Sequence, residues 1–203
     1  MRKETKNETK NTKNRVNKNT RNRVEKRIVF VLLVLVILLM IYFLNSNSYT
    51  NQEGVAKKKY QQALLALKNN NFQEAEKYFE KAHKNNPLHQ GYLWQLALTA
   101  AKNGEYQKAI NYYDKLIEIL PQSSLVYLQQ GEVYEKMGEE KEALKFYQKA
   151  IALNKNYFPS YFNLASLLLK QNRKVEAKAV LQEALGFHPQ SEEIKKLLES
   201  IEN

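Results

Sequence analysis

The chain of 203 residues has no cysteine, one aspartate and one tryptophan. Without cysteine, thiolate nucleophiles and cysteine-based zinc or iron–sulfur sites are excluded. The three histidines, His83, His89 and His188, lack the i, i+4 or H-E-x-x-H spacing that places metal ligands on one helix face. A glycine-rich phosphate loop and a G-x-S-x-G elbow are also missing. The residue inventory therefore predicts no catalytic residue, no metal site, no cofactor and no enzymatic activity.

Acidic residues are scarce at the N-terminus. Residues 1–27 hold eleven Lys and Arg against three Glu, a charge of +8 out of the +11 of the whole chain. This segment is rich in Asn, Thr and Lys with almost no apolar residue, so we expect a disordered tail that is attracted to anionic lipid head groups. No aromatic side chain interleaves its basic residues, and nucleic acid is not expected as a partner.

An uncharged apolar run of 17 residues follows, from Ile28 to Leu44. As a helix it would be about 25 Å long, at the short end of what a bilayer core requires. A cleaved signal peptide usually has a shorter apolar stretch and a small-residue cleavage site, whereas polar residues 45–48 offer no such site. The run predicts an uncleaved transmembrane helix over 28–44, with membrane lipid contacted through residues 1–44. The basic tail would keep the N-terminus in the cytoplasm and send the rest outside.

A polar linker is expected over 45–55, and beyond it the sequence repeats every 34 residues. Four alanines mark the period: Ala75, Ala109, Ala143 and Ala177. Four residues after them stand Phe79, Tyr113, Tyr147 and Leu181, and twelve after them Pro87, Pro121, Lys155 and Pro189. A constant period of this length indicates a solenoid of helix pairs.

Each repeat predicts two helices separated by a turn. The first helices are expected over 56–68, 90–102, 124–137 and 158–171, and the second over 72–84, 106–119, 140–153 and 174–187. The turns carry Asn70, Gly104, Gly138 and Asn172, residue types that tolerate the left-handed conformation ending a helix. The fold class predicted is all-α.

The pattern small–x3–aromatic–x2–Ala–x4–Pro resembles the tetratricopeptide repeat. The resemblance implies a right-handed α-solenoid of four helix hairpins over 56–89, 90–123, 124–157 and 158–191, within a repeat domain spanning 56–191. Residues 192–203 have an apolar stripe surrounded by charges and are interpreted as a capping helix. Lys155 departs from the family pattern, because the other repeats have proline there.

The resemblance also implies that the first helices line a concave groove. Position 5 of each repeat then supplies an apolar row, and position 6 supplies a row of side-chain amides that suits the backbone of an extended peptide. The apolar row is Tyr60, Trp94, Leu128 and Phe162, and the amide row is Gln61, Gln95, Gln129 and Asn163.

Together these features predict a membrane-anchored scaffold that binds a protein or an extended peptide at the outer face of the cell membrane. The alternative is a non-catalytic recruiter of a cell-envelope enzyme or of a glycan-associated complex, in which the aromatic side chains would contact sugar. The sequence names neither the partner nor the oligomeric state.

Overall fold

The computed structural model describes the backbone of residues 4–202 and the side chains of residue 27, residues 30–46 and residues 48–201. The described backbone is helical, with short turns and no strand. The helices are α1 (Glu4–Lys68), α2 (Phe72–Asn85), α3 (Gln90–Lys102), α4 (Tyr106–Ile119), α5 (Ser124–Met137), α6 (Glu140–Leu153), α7 (Phe158–Lys170), α8 (Lys174–Phe187) and α9 (Glu192–Glu202). The all-α prediction is therefore confirmed, and α2 to α8 begin and end within one residue of their predicted bounds.

Helix α1 differs from what the sequence indicates. The composition predicts no regular structure for the tail or for the linker at 45–55, yet one helix runs from Glu4 to Lys68. Residues 1–53 contain no proline and no glycine, so nothing in that stretch ends a helix once the apolar run has formed one. The side chains of residues 1–26, for which lipid contact is predicted, lie outside the described residues.

The chain divides into two units, residues 1–53 and residues 54–203. In the first unit, the apolar side chains from Phe30 to Leu44 are exposed, with 69% of Phe30 and 70% of Phe43 accessible. Among the described residues, one segment, Phe30–Lys68, is long and apolar enough to cross a membrane by length and composition, a test that a signal sequence also passes.

In the second unit, successive helices from α2 to α9 pack against one another. The repeated small and aromatic positions form the core. Ala75, Ala109, Ala143 and Ala177 are completely buried, and so are Phe79, Tyr147 and Leu181, with Tyr113 nearly so. Alanine at this position lets two helices approach closely, and the larger side chain one turn later fills the space beside it. Ile194 of α9 is also completely buried, so α9 covers the last hairpin.

The turns inside the repeats follow the predicted chemistry. Asn70 and Asn172 have φ of 56° and 59°, and Gly104 and Gly138 have φ of 79° and 81°. These four residues occupy the same register, and each lies in the left-handed region at a helix end.

The turns between repeats contain Pro87, Pro121 and Pro189, and all three prolines are exposed. The turn around Lys155 has the same backbone hydrogen bond without proline: the Tyr157 amide donates to the Asn154 carbonyl at 3.2 Å, as the Ser123 amide donates to the Leu120 carbonyl at 3.0 Å. The Asn154 side chain adds an acceptor for the Asn156 amide at 3.1 Å. An asparagine side chain that bonds to the backbone two residues on stabilises such a turn, so proline is not required here.

Candidate functional site

An open cleft on the repeat helices lies between α5 and α7. Its volume is about 480 Å³. It is lined by Glu132, Glu135, Lys136, Tyr147, Phe162, Asn163, Ser166 and Lys170. We call it the α5–α7 cleft. Helices α5 and α7 are both first helices of their repeats, and the repeat register predicts that first helices line the groove. Two of the predicted groove residues, Phe162 and Asn163, line the α5–α7 cleft.

The predicted apolar row is not a continuous exposed surface. Tyr60 is half-buried, with its ring 5.5 Å from that of Phe79, and Trp94 makes an edge-to-face contact with Tyr113 at 6.0 Å. Leu128 is only 2% exposed. Leu128 therefore belongs to the core, Tyr60 and Trp94 are half-buried against core aromatic rings, and Phe162 is 39% exposed.

The amide row is partly engaged within the protein. Gln61 is exposed and Gln95 half-buried, but Gln129 and Asn163 both donate to the carboxylate of Glu132. The two amide nitrogens lie 3.0 Å from Oε2 and 3.0 Å from Oε1 respectively. At these two positions the amides are engaged within the protein, because a half-buried carboxylate one turn further along α5 needs hydrogen-bond donors.

A second carboxylate, Glu135, lies one turn beyond Glu132. The hydroxyl of Tyr147 donates to its Oε2 at 2.8 Å, and Lys170 of α7 forms an ion pair with its Oε1. Tyr147 is completely buried beneath the cleft. Glu132 and Glu135 therefore link three helices, since their partners come from α5, α6 and α7.

Burial dominates the electrostatics of the cleft. It raises the pKa of Glu132, and this outweighs the opposing effects of the Asn163 and Gln129 hydrogen bonds and of Lys136. The pKa of the Tyr147 hydroxyl is raised as well, first by burial and then by its hydrogen bond to Glu135. Tyr147 is therefore a neutral donor at physiological pH.

Sequence reasoning did not single out this acidic pair. Its signal was present all the same: Glu132 and Glu135 occupy positions 9 and 12 of the third repeat, and Lys136 and Lys170 occupy position 13 of the third and fourth. The sequence pattern does not show which of these residues bond across the cleft. Asn163 bonds to Glu132, 31 positions away, and Lys170 bonds to Glu135, 35 positions away.

The raised pKa of Glu132 makes a pH-dependent contribution to stability. Because the pKa of Glu132 in the folded state lies above its ordinary value, the folded state binds the proton more tightly than the unfolded state does. The resulting contribution to stability is fully present when the pH is below the ordinary pKa, and it is lost as the pH rises through the pKa of the folded state. We expect the free energy of unfolding of the wild type, relative to Glu132→Gln, to increase as pH is lowered from about 7 towards about 4.5. Urea unfolding at several pH values measures it, with Glu193→Gln as the control for losing one negative charge. A difference that stays constant, or that decreases, contradicts the prediction.

Comparison with known proteins agrees with this architecture. Two family models described as tetratricopeptide repeat match residues 60–124 and residues 134–201. No curated protein matches the chain. Similar solved structures include MamA from Desulfovibrio magneticus RS-1, at 20% identity and a TM-score of 0.59, with 72% of this chain and 82% of that chain covered.

Two further solved structures have the same fold. A thermophilic tetratricopeptide repeat protein from Thermus thermophilus is 22% identical with a TM-score of 0.54, covering 72% of this chain and 80% of its own. A tetratricopeptide repeat protein from Parabacteroides merdae is 16% identical with a TM-score of 0.64, covering 73% and 59% respectively. At these identities the likeness concerns the fold.

Proposed function

Because the chain belongs to the tetratricopeptide repeat family over residues 60–124 and 134–201, we propose that it is a non-catalytic scaffold, anchored in the cell membrane, that holds an extended segment of a partner protein in the α5–α7 cleft. Tetratricopeptide repeats bind protein partners in general. The observation that carries the proposal is the cleft itself, because it combines an open volume of about 480 Å³ with an exposed aromatic ring and polar groups from two repeats.

The hydrogen bonds in the cleft suit a peptide backbone. A backbone N–H of the partner can donate to Glu132 in place of the Asn163 amide, and the released amide can then donate to a backbone carbonyl of the partner. The number of hydrogen bonds is conserved in this exchange, so the cost of opening the network is small. Phe162 supplies apolar contact area beside these groups.

The anchor in this proposal is the apolar segment of α1. Its exposed side chains from Phe30 to Leu44 would be covered by lipid, and the +8 charge of residues 1–27 favours a cytoplasmic N-terminus. The repeats would then lie at the extracytoplasmic face of the membrane.

The absence of cysteine allows this orientation to be tested by labelling. We expect a cysteine introduced as Gln190→Cys to react with a membrane-impermeant maleimide in intact cells, and Asn11→Cys to react only after the membrane is permeabilised. The readout is the mass shift of the full-length chain on a gel. Labelling of Asn11→Cys in intact cells, protection of Gln190→Cys, or a chain shortened by removal of its N-terminus would each contradict the proposal.

Partner capture tests the cleft. We expect Phe162→Ala combined with Asn163→Ala to weaken capture by about tenfold or more, because it removes the exposed ring and one amide of the cleft. Full-length protein is crosslinked in intact cells, recovered in a non-ionic detergent, and compared with wild type by quantitative mass spectrometry. A synthetic peptide from the protein that is lost is then titrated against both chains. Trp94 is less suitable for this purpose, because its ring packs on Tyr113.

The matched control is Val175→Ala combined with Gln182→Ala, two exposed residues of α8 in the same repeat. It should capture the same proteins as wild type. Equal capture by the cleft variant and wild type, with circular dichroism showing both folded, would overturn the assignment of the cleft.

A further inference from the structure

A second surface, formed mainly by the second helices, places a lysine ammonium beside an aromatic ring in three successive repeats. Lys81 Nζ lies 5.7 Å from the ring centre of Tyr78 on α2, and Lys59 Nζ of α1 lies 5.5 Å from the same ring. Lys115 Nζ lies 5.7 Å from the ring centre of Tyr112 on α4. In the third repeat, Lys149 Nζ on α6 lies 5.9 Å from the ring of Tyr127. That ring lies 6.1 Å from the ring of Phe146. We call this set the aromatic–lysine row: Tyr78, Lys81, Tyr112, Lys115, Tyr127, Phe146 and Lys149.

The row follows the 34-residue register and then ends. Tyr78, Tyr112 and Phe146 occupy one position of the repeat, and Lys81, Lys115 and Lys149 occupy the position three residues later. In α8 these two positions hold Val180 and Glu183. The fourth hairpin therefore has neither an aromatic residue nor a lysine at these two positions.

Two surface depressions lie on the row. One, of about 390 Å³, surrounds Tyr78 and is bordered by Lys77 and Lys81. The other, of about 270 Å³, is lined by Tyr127, Lys145, Phe146 and Lys149. None of these residues lines the α5–α7 cleft, so the surface is separate from the site of the proposed function.

The lysines of the row carry charge that the fold leaves uncompensated. In the part of the chain that the structure describes, Lys81, Lys115 and Lys149 have no ion pair, and their ammonium groups contact aromatic rings instead. Acidic residues nearby are engaged: Glu142 pairs with Lys145 at 2.6 Å, and Glu80 accepts from the Tyr112 hydroxyl at 3.3 Å. Glu74, which lines the depression at Tyr78, accepts from the Asn71 amide at 2.9 Å. An exposed cation–π contact is weak, so each ammonium can leave its ring at low cost when an anion is offered.

We propose that the aromatic–lysine row binds an acidic polysaccharide. A pyranose ring has an apolar C–H face that stacks on an aromatic ring, and a carboxylate or phosphate on the same polymer pairs with the lysine that the sugar displaces from the ring. A linear acidic polysaccharide repeats the apolar sugar face and the anionic group along its length, and the row repeats an aromatic ring and a lysine to contact them. An acidic peptide would use the lysines and leave the rings without a role, and a lipid surface requires no repeat register.

Full-length protein in a non-ionic detergent is titrated with polygalacturonate, with dextran as the neutral polymer and polyglutamate as the acidic peptide. We expect polygalacturonate to bind tightest, and Lys81→Gln, Lys115→Gln and Lys149→Gln together to weaken it about tenfold or more. The matched control is Lys68→Gln, Lys102→Gln and Lys196→Gln, three exposed lysines outside the row, which should change binding less than about twofold.

The rings are tested separately by Tyr78→Val combined with Phe146→Val, because valine occupies the equivalent position of the fourth repeat, and circular dichroism checks that the variant is folded. We expect weaker binding of polygalacturonate and unchanged binding of polyglutamate. The inference is overturned if the row variant and the control lysine variant lose binding of polygalacturonate equally, or if the valine variant binds it as wild type does. It is also overturned if polyglutamate binds as tightly as polygalacturonate, or if the protein binds vesicles of anionic lipid and none of the polymers. Loss of partner capture in the cleft variant bears on the α5–α7 cleft alone, so the two proposals fail independently.

Discussion

Replacing Ala143 with glutamate is expected to lower the free energy of unfolding by about 3–5 kcal/mol. Ala143 on α6 is completely buried and belongs to the core cluster that contains Tyr147 and Leu164. A glutamate there has no cationic partner within that described core cluster, so it must either carry a buried charge or remain protonated, and it must also displace close-packed neighbours. Urea unfolding monitored by circular dichroism measures the loss.

The matched control uses the same change on the exposed side of the same helix. Ala152 of α6 is exposed, and Ala152→Glu should alter stability by no more than about 0.5 kcal/mol, including a small unfavourable effect of negative charge near a helix C-terminus. If Ala143→Glu unfolds at the same urea concentration as wild type, the four repeated alanines are not the seam between helices.

The second large effect is expected at Gly131, where a single methyl group should destabilise the protein by about 1–3 kcal/mol. A Cβ built on Gly131 would lie 2.6 Å from Cε1 and 2.7 Å from Cδ1 of Tyr147. The ring cannot move away easily, because it is completely buried and its hydroxyl is bonded to Glu135 at 2.8 Å. The clash outweighs the gain of up to about 1 kcal/mol that alanine normally brings to a helix interior.

Gly186 provides the control for that gain. It lies within α8, and a Cβ there would meet nothing within 4 Å, so Gly186→Ala should raise stability by up to about 1 kcal/mol. Thermal or urea unfolding of the two alanine variants should therefore move in opposite directions. A stabilising Gly131→Ala would contradict the prediction and show that Tyr147 repacks freely beneath the α5–α7 cleft.

Gly131 thus connects the core to the cleft. Its missing side chain allows Tyr147 to lie close against α5, and from there the Tyr147 hydroxyl reaches Glu135 on the cleft wall. The other three repeats have a buried alanine at the position of Gly131, namely Ala63, Ala97 and Ala165. The third repeat therefore differs from its neighbours at the position that shapes the cleft.

Sequence reasoning was least successful where a residue's surroundings come from another repeat. Leu128 shares its register position with the exposed Phe162, yet it is buried. Gln129 and Asn163 belong to the predicted amide ladder, but each donates to Glu132. The polar composition of 45–55 predicts a linker, yet helix α1 continues through it. The segment has no proline, and no glycine before Gly54, so it lacks a residue that ends a helix there.

The sequence by itself determined the repeat helices α2 to α9, their turns and the repeated core positions at the four alanines. These depend on short-range chemistry: apolar side chains at helical spacing, residues that accept positive φ at Asn70, Gly104, Gly138 and Asn172, and a 34-residue period that places equivalent residues in equivalent environments. The tertiary structure alone decided which groove residues face solvent and which bond to each other. Hydrogen bonds such as that from Asn163 to Glu132 join residues 31 positions apart, and their formation depends on how adjacent hairpins pack, which no local pattern specifies.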